Sequence, residues 1–144
     1  ANHISAWINN NSPNPVLIGP DEESEQWVDA VAKNAGAYFT VLKKVRRGDN
    51  DVDVSVPHIE KYKSCTPVLV DDIISTGKTM VETILHLKQV GVKAPVCIGV
   101  HAVFAGNAYQ DIQTAGAAKI ITCNTIPHIS NQIDISGLLK VEFF

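Results

Sequence analysis

The chain alternates short apolar runs with longer amphipathic stretches, and that alternation carries most of its organisation. Val16 to Ile18, Tyr38 to Leu42, Val68 to Val70, Val96 to Val100 and Lys119 to Thr122 are brief and rich in β-branched, aliphatic or aromatic residues. Such runs predict strands buried on both faces of a parallel sheet. Between them the apolar residues recur at three-to-four spacing. Trp27, Val28, Val31, Ala32 and Ala35 share one face of a stretch from Glu22 to Ala35 that Gly36 closes. Met80, Ile84, Leu87 and Val90 do the same for a helix that begins near Lys78 and stops at Gly91. Ala108 to Ala115, ended by Gly116, predicts a further helix. Ile4 to Asn10 predicts a short one ahead of the turn-forming run N-N-N-S-P-N-P, Asn9 to Pro15. Repeated strand-helix pairs predict an α/β fold, a doubly wound, mostly parallel sheet flanked by helices. Right-handed crossovers bring the loops that follow the strands to one edge.

The stretch P-V-L-V-D-D-I-I-S-T-G-K-T, Pro67 to Thr79, joins one strand to a helix N-terminus and puts Asp71 and Asp72 at the strand's carboxyl end. Ligands collect at such junctions, because the crevice of an open sheet lies there and unpaired helix N–H groups favour an anion. Ser75, Thr76 and Thr79 add hydroxyl donors, Gly77 lets the backbone approach a ligand, and Lys78 either adds a phosphate contact or opens the helix on its exposed face. The two carboxylates would repel a phosphate, so they suit sugar hydroxyls or a magnesium ion instead. A sugar phosphate meets both demands. A nucleotide P-loop is a poor fit, because Asp72 stands where that pattern needs a glycine. The residues alone also allow a strand that merely ends in acids before an ordinary capped helix.

Two other segments carry candidate chemistry. Asp21, after Gly19-Pro20, occupies the place in its unit that Asp71 occupies in its own, where it either caps a helix or touches a metal or diphosphate. Glu22, Glu23 and Glu25 are placed favourably for the helix dipole. Lys43, Lys44, Val45, Arg46 and Arg47, followed by Gly48-Asp49-Asn50-Asp51, form the chain's dense cationic cluster. It reads either as a solvated basic loop or as a mobile loop closing over a polyphosphate. Val52, Val54 and Val56 then alternate with Asp53, Ser55 and Pro57, which suggests a strand or flap in the same insertion.

Composition narrows the setting. With 144 residues, 45% hydrophobic and 19% charged, one globular domain is expected. A net charge of −3 gives no basic footprint, so nucleic acid is not expected as the main partner. No apolar run approaches ~18 residues and no charged-then-apolar leader is present, so neither membrane spanning nor secretion is expected. Cys65, Cys97 and Cys123 are odd in number, far apart and without C-x-x-C pairing, which points away from disulfides and zinc and towards a reducing cytoplasm. The chain opens on Ala1, so a processed chain or a fragment is expected.

V-L-V-D-D-I-I-S-T-G-K-T resembles the phosphoribosyl diphosphate motif of the type I phosphoribosyltransferase superfamily, two acids followed by a T-G-x-T-type phosphate loop. Four flanking segments narrow the resemblance: G-P-D (Gly19 to Asp21), K-V-R (Lys44 to Arg46), V-H-A-V-F-A-G-N-A-Y (Val100 to Tyr109) and T-C-N-T-I-P-H (Thr122 to His128). In order and spacing they are similar to segments of the C-terminal half of the ribose-phosphate diphosphokinases. The resemblance implies transfer of diphosphate from Mg-ATP to the C1 hydroxyl of ribose 5-phosphate, releasing AMP. It implies that Ser75, Thr76, Gly77, Lys78 and Thr79 hold the 5-phosphate with help from Arg46, that Asp71 and Asp72 fix the ribose hydroxyls, and that Asp21 helps to hold Mg2+. Lys44 and Arg46 are implied as the catalytic pair.

On that resemblance residues 1–15 are a lead-in helix and linker, residues 16–144 a ribose 5-phosphate-binding domain, and the full-length enzyme a homo-oligomer. The chain departs from the family where E-E-S-E-Q-W follows Asp21, where Ser75 replaces a common Asp, and at Lys78. The family builds most of its ATP site from an N-terminal domain, so this chain alone is expected to bind ribose 5-phosphate weakly and make no product. Two alternatives stand beside this reading. A nucleobase phosphoribosyltransferase would need a base-capturing hood that no segment supplies convincingly; a non-catalytic regulatory homologue would not need the retained Lys44, Arg46, Asp71 and Asp72.

Overall fold

A computed structural model describes residues 2–46 and 52–135. A leading helix, α1 (Asn2–Asn11), is followed by β1 (Pro15–Gly19), α2 (Glu25–Ala35) and β2 (Tyr38–Val41). A small ribbon of β3 (Lys43–Arg46) and β4 (Val52–Ser55) interrupts the alternation. It resumes with β5 (Thr66–Ile74), α3 (Lys78–Gln89), β6 (Val96–Ala102), α4 (Ala108–Ala115), β7 (Lys119–Cys123) and β8 (Asn131–Ile133). Six strands form one sheet in the order β2-β1-β5-β6-β7-β8, every neighbouring pair parallel, as the sequence pattern predicts.

Side-chain alternation along the strands explains why helices cover both faces. Leu17, Val68, Val70, Val96, Ile98 and Ile121 pack with Ile4 and Ile8 of α1 and Val28 and Val31 of α2. Their odd-even counterparts Ile18, Leu69, Cys97 and Ile120 pack with Met80, Ile84 and Leu87 of α3 and Ile112 of α4. Burying one aliphatic side chain of this kind is worth roughly 1.5–3 kcal/mol, so the two layers jointly hold β5 in the middle of the sheet. Gly36, with φ 63°, ends α2 in the left-handed conformation that glycine tolerates best. All three cysteines are free and buried, and burial pushes the Cys97 thiol up to about 12. Among the described residues no helix is long and apolar enough to cross a membrane.

The structure departs from the sequence pattern in four places. The acid-rich start of the second predicted helix is a separate 3-10 turn, Glu22–Ser24, and the α-helix begins only at Glu25. β5 does not stop at Val70: its ladder with β6 continues through Ile73↔His101 and Ile74↔Ala102, so Asp71 and Asp72 are residues of the strand. The first part of the basic run is not an open loop, because Lys43–Arg46 pairs antiparallel with Val52–Ser55. Arg47 and Gly48-Asp49-Asn50-Asp51 lie outside the described residues. Finally, β8 has no counterpart in the pattern; Asn131 donates from its side chain to Thr122 Oγ1 (2.8 Å) and to the Cys123 carbonyl (3.1 Å), tying a short polar segment to β7.

Candidate functional site

The segment after β1 and the carboxyl-terminal part of β5 meet at the edge of the sheet around a cavity of about 470 Å³ lined by Pro20, Asp21, Glu23, Ser24, Trp27, Asp71 and Asp72. Asp21 is extended, with φ −163°, and its Oδ1 accepts the Ser24 N–H at 2.9 Å, while Ser24 Oγ donates to the Asp21 carbonyl at 2.7 Å. One carboxylate oxygen of Asp21 therefore caps the 3-10 turn. Asp72 Oδ1 accepts the Ile73 N–H at 2.9 Å. The Asp71 carboxyl is pushed up from 3.8 to about 7, first by burial and then by the hydrogen bond its protonated form donates to Asp72 and by the like charge of Asp72; the N–H groups of Asp72 and Ile73 oppose the rise. Near neutral pH Asp71 is thus poised between a hydrogen-bond donor and a pure acceptor. With Asp21, Glu23, Asp71 and Asp72 around it, the cavity disfavours a bare anion and suits hydroxyls or a cation.

The anion-friendly part lies immediately beyond. Ser75, Thr76 and Gly77 form the turn out of β5, and Gly77, with φ 73°, stands at the N-cap of α3. The first helical bond runs from the Val81 N–H to the Gly77 carbonyl at 2.9 Å, so the N–H groups of Lys78, Thr79 and Met80 are the unpaired donors of the helix start. Asp71 and Thr79 border the same small void of about 10 Å³, walled mainly by Ile18, Leu42, Leu69 and Met80, so the two residues stand close behind one another. Thr83 Oγ1 donates to the Thr79 carbonyl at 2.6 Å, which keeps that carbonyl occupied within the helix.

The basic ribbon closes the third side. Lys44 Nζ lies 3.5 Å from Thr79 Oγ1. Lys43 and Lys44 line a cleft of about 620 Å³ with Leu42, Glu22, Asp21 and Glu23, and the last two residues also line the carboxylate cavity. The ribbon is rooted in the core by Leu42 before it and by Val56 and Ile59 after it, all buried. Arg46 is described for its backbone alone, at the end of β3 opposite Val52.

The structure thus brings Asp21, Asp71, Asp72, Thr79 and Lys44 together. Two other predicted residues turn elsewhere: Thr76 and Lys78 line a groove between α3 and α4 with Val81, Leu85 and Asp111, on the far side of the loop. Only their backbone N–H groups are left for an anion at the helix start. Ser75 is exposed on the turn. Trp27, Pro20 and Glu23 line the cavity without having been singled out; Trp27 follows the apolar period of α2, which marks it as core and hides its place at the site.

The fold and this edge define a phosphoribosyl transferase domain: residues 1–136 match the model of that family, and the chain belongs to it. Among similar proteins, the ribose-phosphate pyrophosphokinase of Sulfolobus acidocaldarius is 32% identical over 134 residues, 92% of this chain and 46% of that protein. The ribose-phosphate pyrophosphokinase 2 of Archaeoglobus fulgidus is 34% identical over 124 residues, 86% of this chain and 45% of that protein. The chain therefore spans about half the length of the curated relatives it matches. Among solved structures, phosphoribosylpyrophosphate synthetase from Mycobacterium smegmatis superposes with a TM-score of 0.79 at 23% identity, covering 96% of this chain and 47% of that one. The adenine phosphoribosyl transferase of Trypanosoma brucei, solved with AMP, pyrophosphate and ribose-5-phosphate, gives 0.66 at 18%, covering 96% and 73%.

Proposed function

We propose that the chain forms the sugar-phosphate side of a ribose-phosphate pyrophosphokinase, which moves diphosphate from Mg-ATP to the C1 hydroxyl of ribose 5-phosphate and releases AMP. The observation that carries this reading is the adjacency of opposite chemistries: a cavity with Asp71 and Asp72, the start of α3 following directly from their strand, and Lys44 beside Thr79. Ribose 5-phosphate has the matching polarity. Its hydroxyls meet Asp71 and Asp72, and its phosphate meets the N–H groups at the start of α3 with Ser75, Gly77 and Thr79 around them. Lys44, with Arg46 on the same strand, neutralises charge on the transferring diphosphoryl group, in a reaction where positioning and electrostatics supply most of the catalysis.

The donors present suit Mg2+. Asp21 keeps one carboxylate oxygen beyond its cap. A single carboxylate oxygen is what a cation that takes most of its ligands from water and phosphate oxygens would need from the protein. When bound, the ion would offset charge on the ATP phosphates. Most contacts to ATP are assigned to the further length that the relatives possess, since the chain spans 46% of the Sulfolobus protein.

Calorimetry of the chain with ribose 5-phosphate, and an AMP assay with ATP added, test the reading. Weak binding without AMP is expected, and AMP formation is expected from the full-length gene product. AMP made by the chain alone would remove the need for the further length. Conversion of any of a panel of nucleobases to nucleotides with phosphoribosyl diphosphate, and no binding of ribose 5-phosphate, would replace the kinase with a transferase.

A further inference from the structure

The turn after β6 is built against the loop after β5. The Phe104 N–H donates to the Ile74 carbonyl at 2.8 Å, and the Ala105 N–H donates to the Ser75 carbonyl at 2.9 Å. Those two carbonyls stand at the mouth of the loop that leads into α3, where an anion site needs N–H groups facing the ligand and carbonyl oxygens turned elsewhere. Both are held by the neighbouring turn. To make the two bonds the turn adopts an uncommon backbone, with Phe104 at φ 44°, a left-handed conformation that a bulky side chain rarely takes.

What holds Phe104 there is its ring. It meets Tyr109 edge-on, with centroids 5.2 Å apart at 76°, and His128 at 4.5 Å and 38°, while Tyr109 and His128 are themselves 4.8 Å apart. Tyr109 belongs to α4. His128 is fixed in turn: its Nδ1 accepts the Ser130 N–H at 3.0 Å and lies 2.7 Å from Ser130 Oγ, and its own N–H donates to Asn131 Oδ1 at 2.9 Å. Ser130 is buried against Thr122 of β7, with the two hydroxyl oxygens 2.7 Å apart. The ring cluster is therefore rooted in the sheet. A second contact braces the same loop from α4, since a methyl group on Gly77 would come within 3.0 Å of Ile112 Cδ1 and 3.6 Å of Ala108 Cβ.

We infer that Phe104 is a positioning residue for the phosphate: packed against both Tyr109 and His128 in one three-ring cluster, it holds the 103–105 turn so that the Ile74 and Ser75 carbonyls are taken up and the N–H groups at the start of α3 face the anion. The inference rests on the reading of this loop as the 5-phosphate site. On this inference the effect of Phe104 passes through the two backbone bonds to Ile74 and Ser75 rather than through the ligand.

The test follows the backbone amides of the folded chain by NMR, first without ligand and then with ribose 5-phosphate. In ligand-free Phe104→Ala the amide resonances of residues 75–79 should move and their exchange protection fall, while those of β1 and α2 stay in place. Added ribose 5-phosphate should then saturate at about tenfold higher concentration than in the parent chain, the loss expected when charge-assisted bonds to an anion are misaligned. Phe104→Tyr, which keeps the ring contacts, should restore both. His128→Ala removes one ring of the cluster, leaves Phe104 in place and should shift the same amides, so it carries the test if Phe104→Ala does not fold. Unchanged loop amides in the ligand-free variants overturn the brace. Shifted amides with unchanged ribose 5-phosphate affinity overturn its role in phosphate binding. A parent chain that binds no ribose 5-phosphate, with the ligand-free shifts present, overturns the phosphate role along with the site reading and leaves the brace standing.

Discussion

Replacing Gly99 by alanine tests how tightly the sheet holds the end of β5. Gly99 sits in β6 in register with Asp71 on one side and Thr122 on the other. A methyl carbon there would lie 2.6 Å from both Cδ1 and Cγ1 of Ile74, against the ~3.5–4.0 Å of a favourable carbon contact. The shortfall is about 1 Å. β6 is bonded on both sides and cannot retreat, and Ile74 is itself only 2% exposed, so Ile74 must leave its rotamer or push the strand end outward. Overpacking of this kind costs about 1–3 kcal/mol. For a domain of this size that corresponds to a fall in Tm of roughly 3–10 °C. Ile74→Ala alone should cost about 2–5 kcal/mol through the vacancy it leaves. In the double variant the methyl introduced at position 99 would face the Cβ that remains at position 74 at 3.7 Å, an ordinary contact, and would fill part of that vacancy. Urea unfolding of the four proteins followed by circular dichroism should therefore give a double variant less destabilised than the sum, by at least about 1 kcal/mol. Additivity to within about 0.5 kcal/mol would refute the reasoning, because the two side chains would then not compete for one space.

Three further outcomes follow from the site. Because the Asp71 carboxyl is pushed up from 3.8 to about 7, the folded chain keeps a proton that the unfolded chain releases between those values. Stability should therefore fall as pH rises through that window, by less than about 1.4 kcal/mol per pH unit and discounted for the group's partial exposure, and Asp71→Asn should flatten the slope; an Asn variant as steep as the parent would rule the assignment out. On the proposed function, Asp71→Asn in a pyrophosphokinase that contains this domain should raise the KM for ribose 5-phosphate. Lys44→Ala should instead collapse kcat, by about 100-fold or more, and an unchanged kcat would remove Lys44 from the chemistry.

The parts of this molecule that sequence reveals are those where one physical signal decides. Leu17 and Ile18, Val68 and Leu69, or Cys97 and Ile98 each serve opposite faces of the sheet, and a run with no polar break is the signature of that double burial. Where signals compete, the pattern is silent. Lys43 to Arg46 has no apolar period, and its strand exists because β4 pairs with it and Leu42 and Val56 anchor its ends. Asp71 and Asp72 are poor strand formers, yet the ladder to β6 carries them inside β5. β8 is three residues long and depends on the Asn131 and Ser130 side chains. At the site, motif spacing brings out Asp71, Thr79 and Lys44, but it cannot tell that Thr76 and Lys78 turn to the groove between α3 and α4. Nor does it reveal that Phe104 serves a loop some thirty positions earlier, because a bond from one backbone N–H to another segment's carbonyl leaves no mark on residue type.

Among the described residues the ribbon of β3 and β4 shares no ladder with the six-stranded sheet. Asp71, Asp72 and Thr79 are mounted on the sheet and its helix, whereas Lys44 is mounted on the ribbon and reaches Thr79 only through a 3.5 Å contact. The ribbon is tied to the sheet at its root, where the Leu42 N–H donates to the Gly19 carbonyl at 2.9 Å. On the proposed function, the groups that would recognise the ligand and the Lys44 that would act on it therefore stand on two separate ladders, joined through the buried Leu42, Val56 and Ile59.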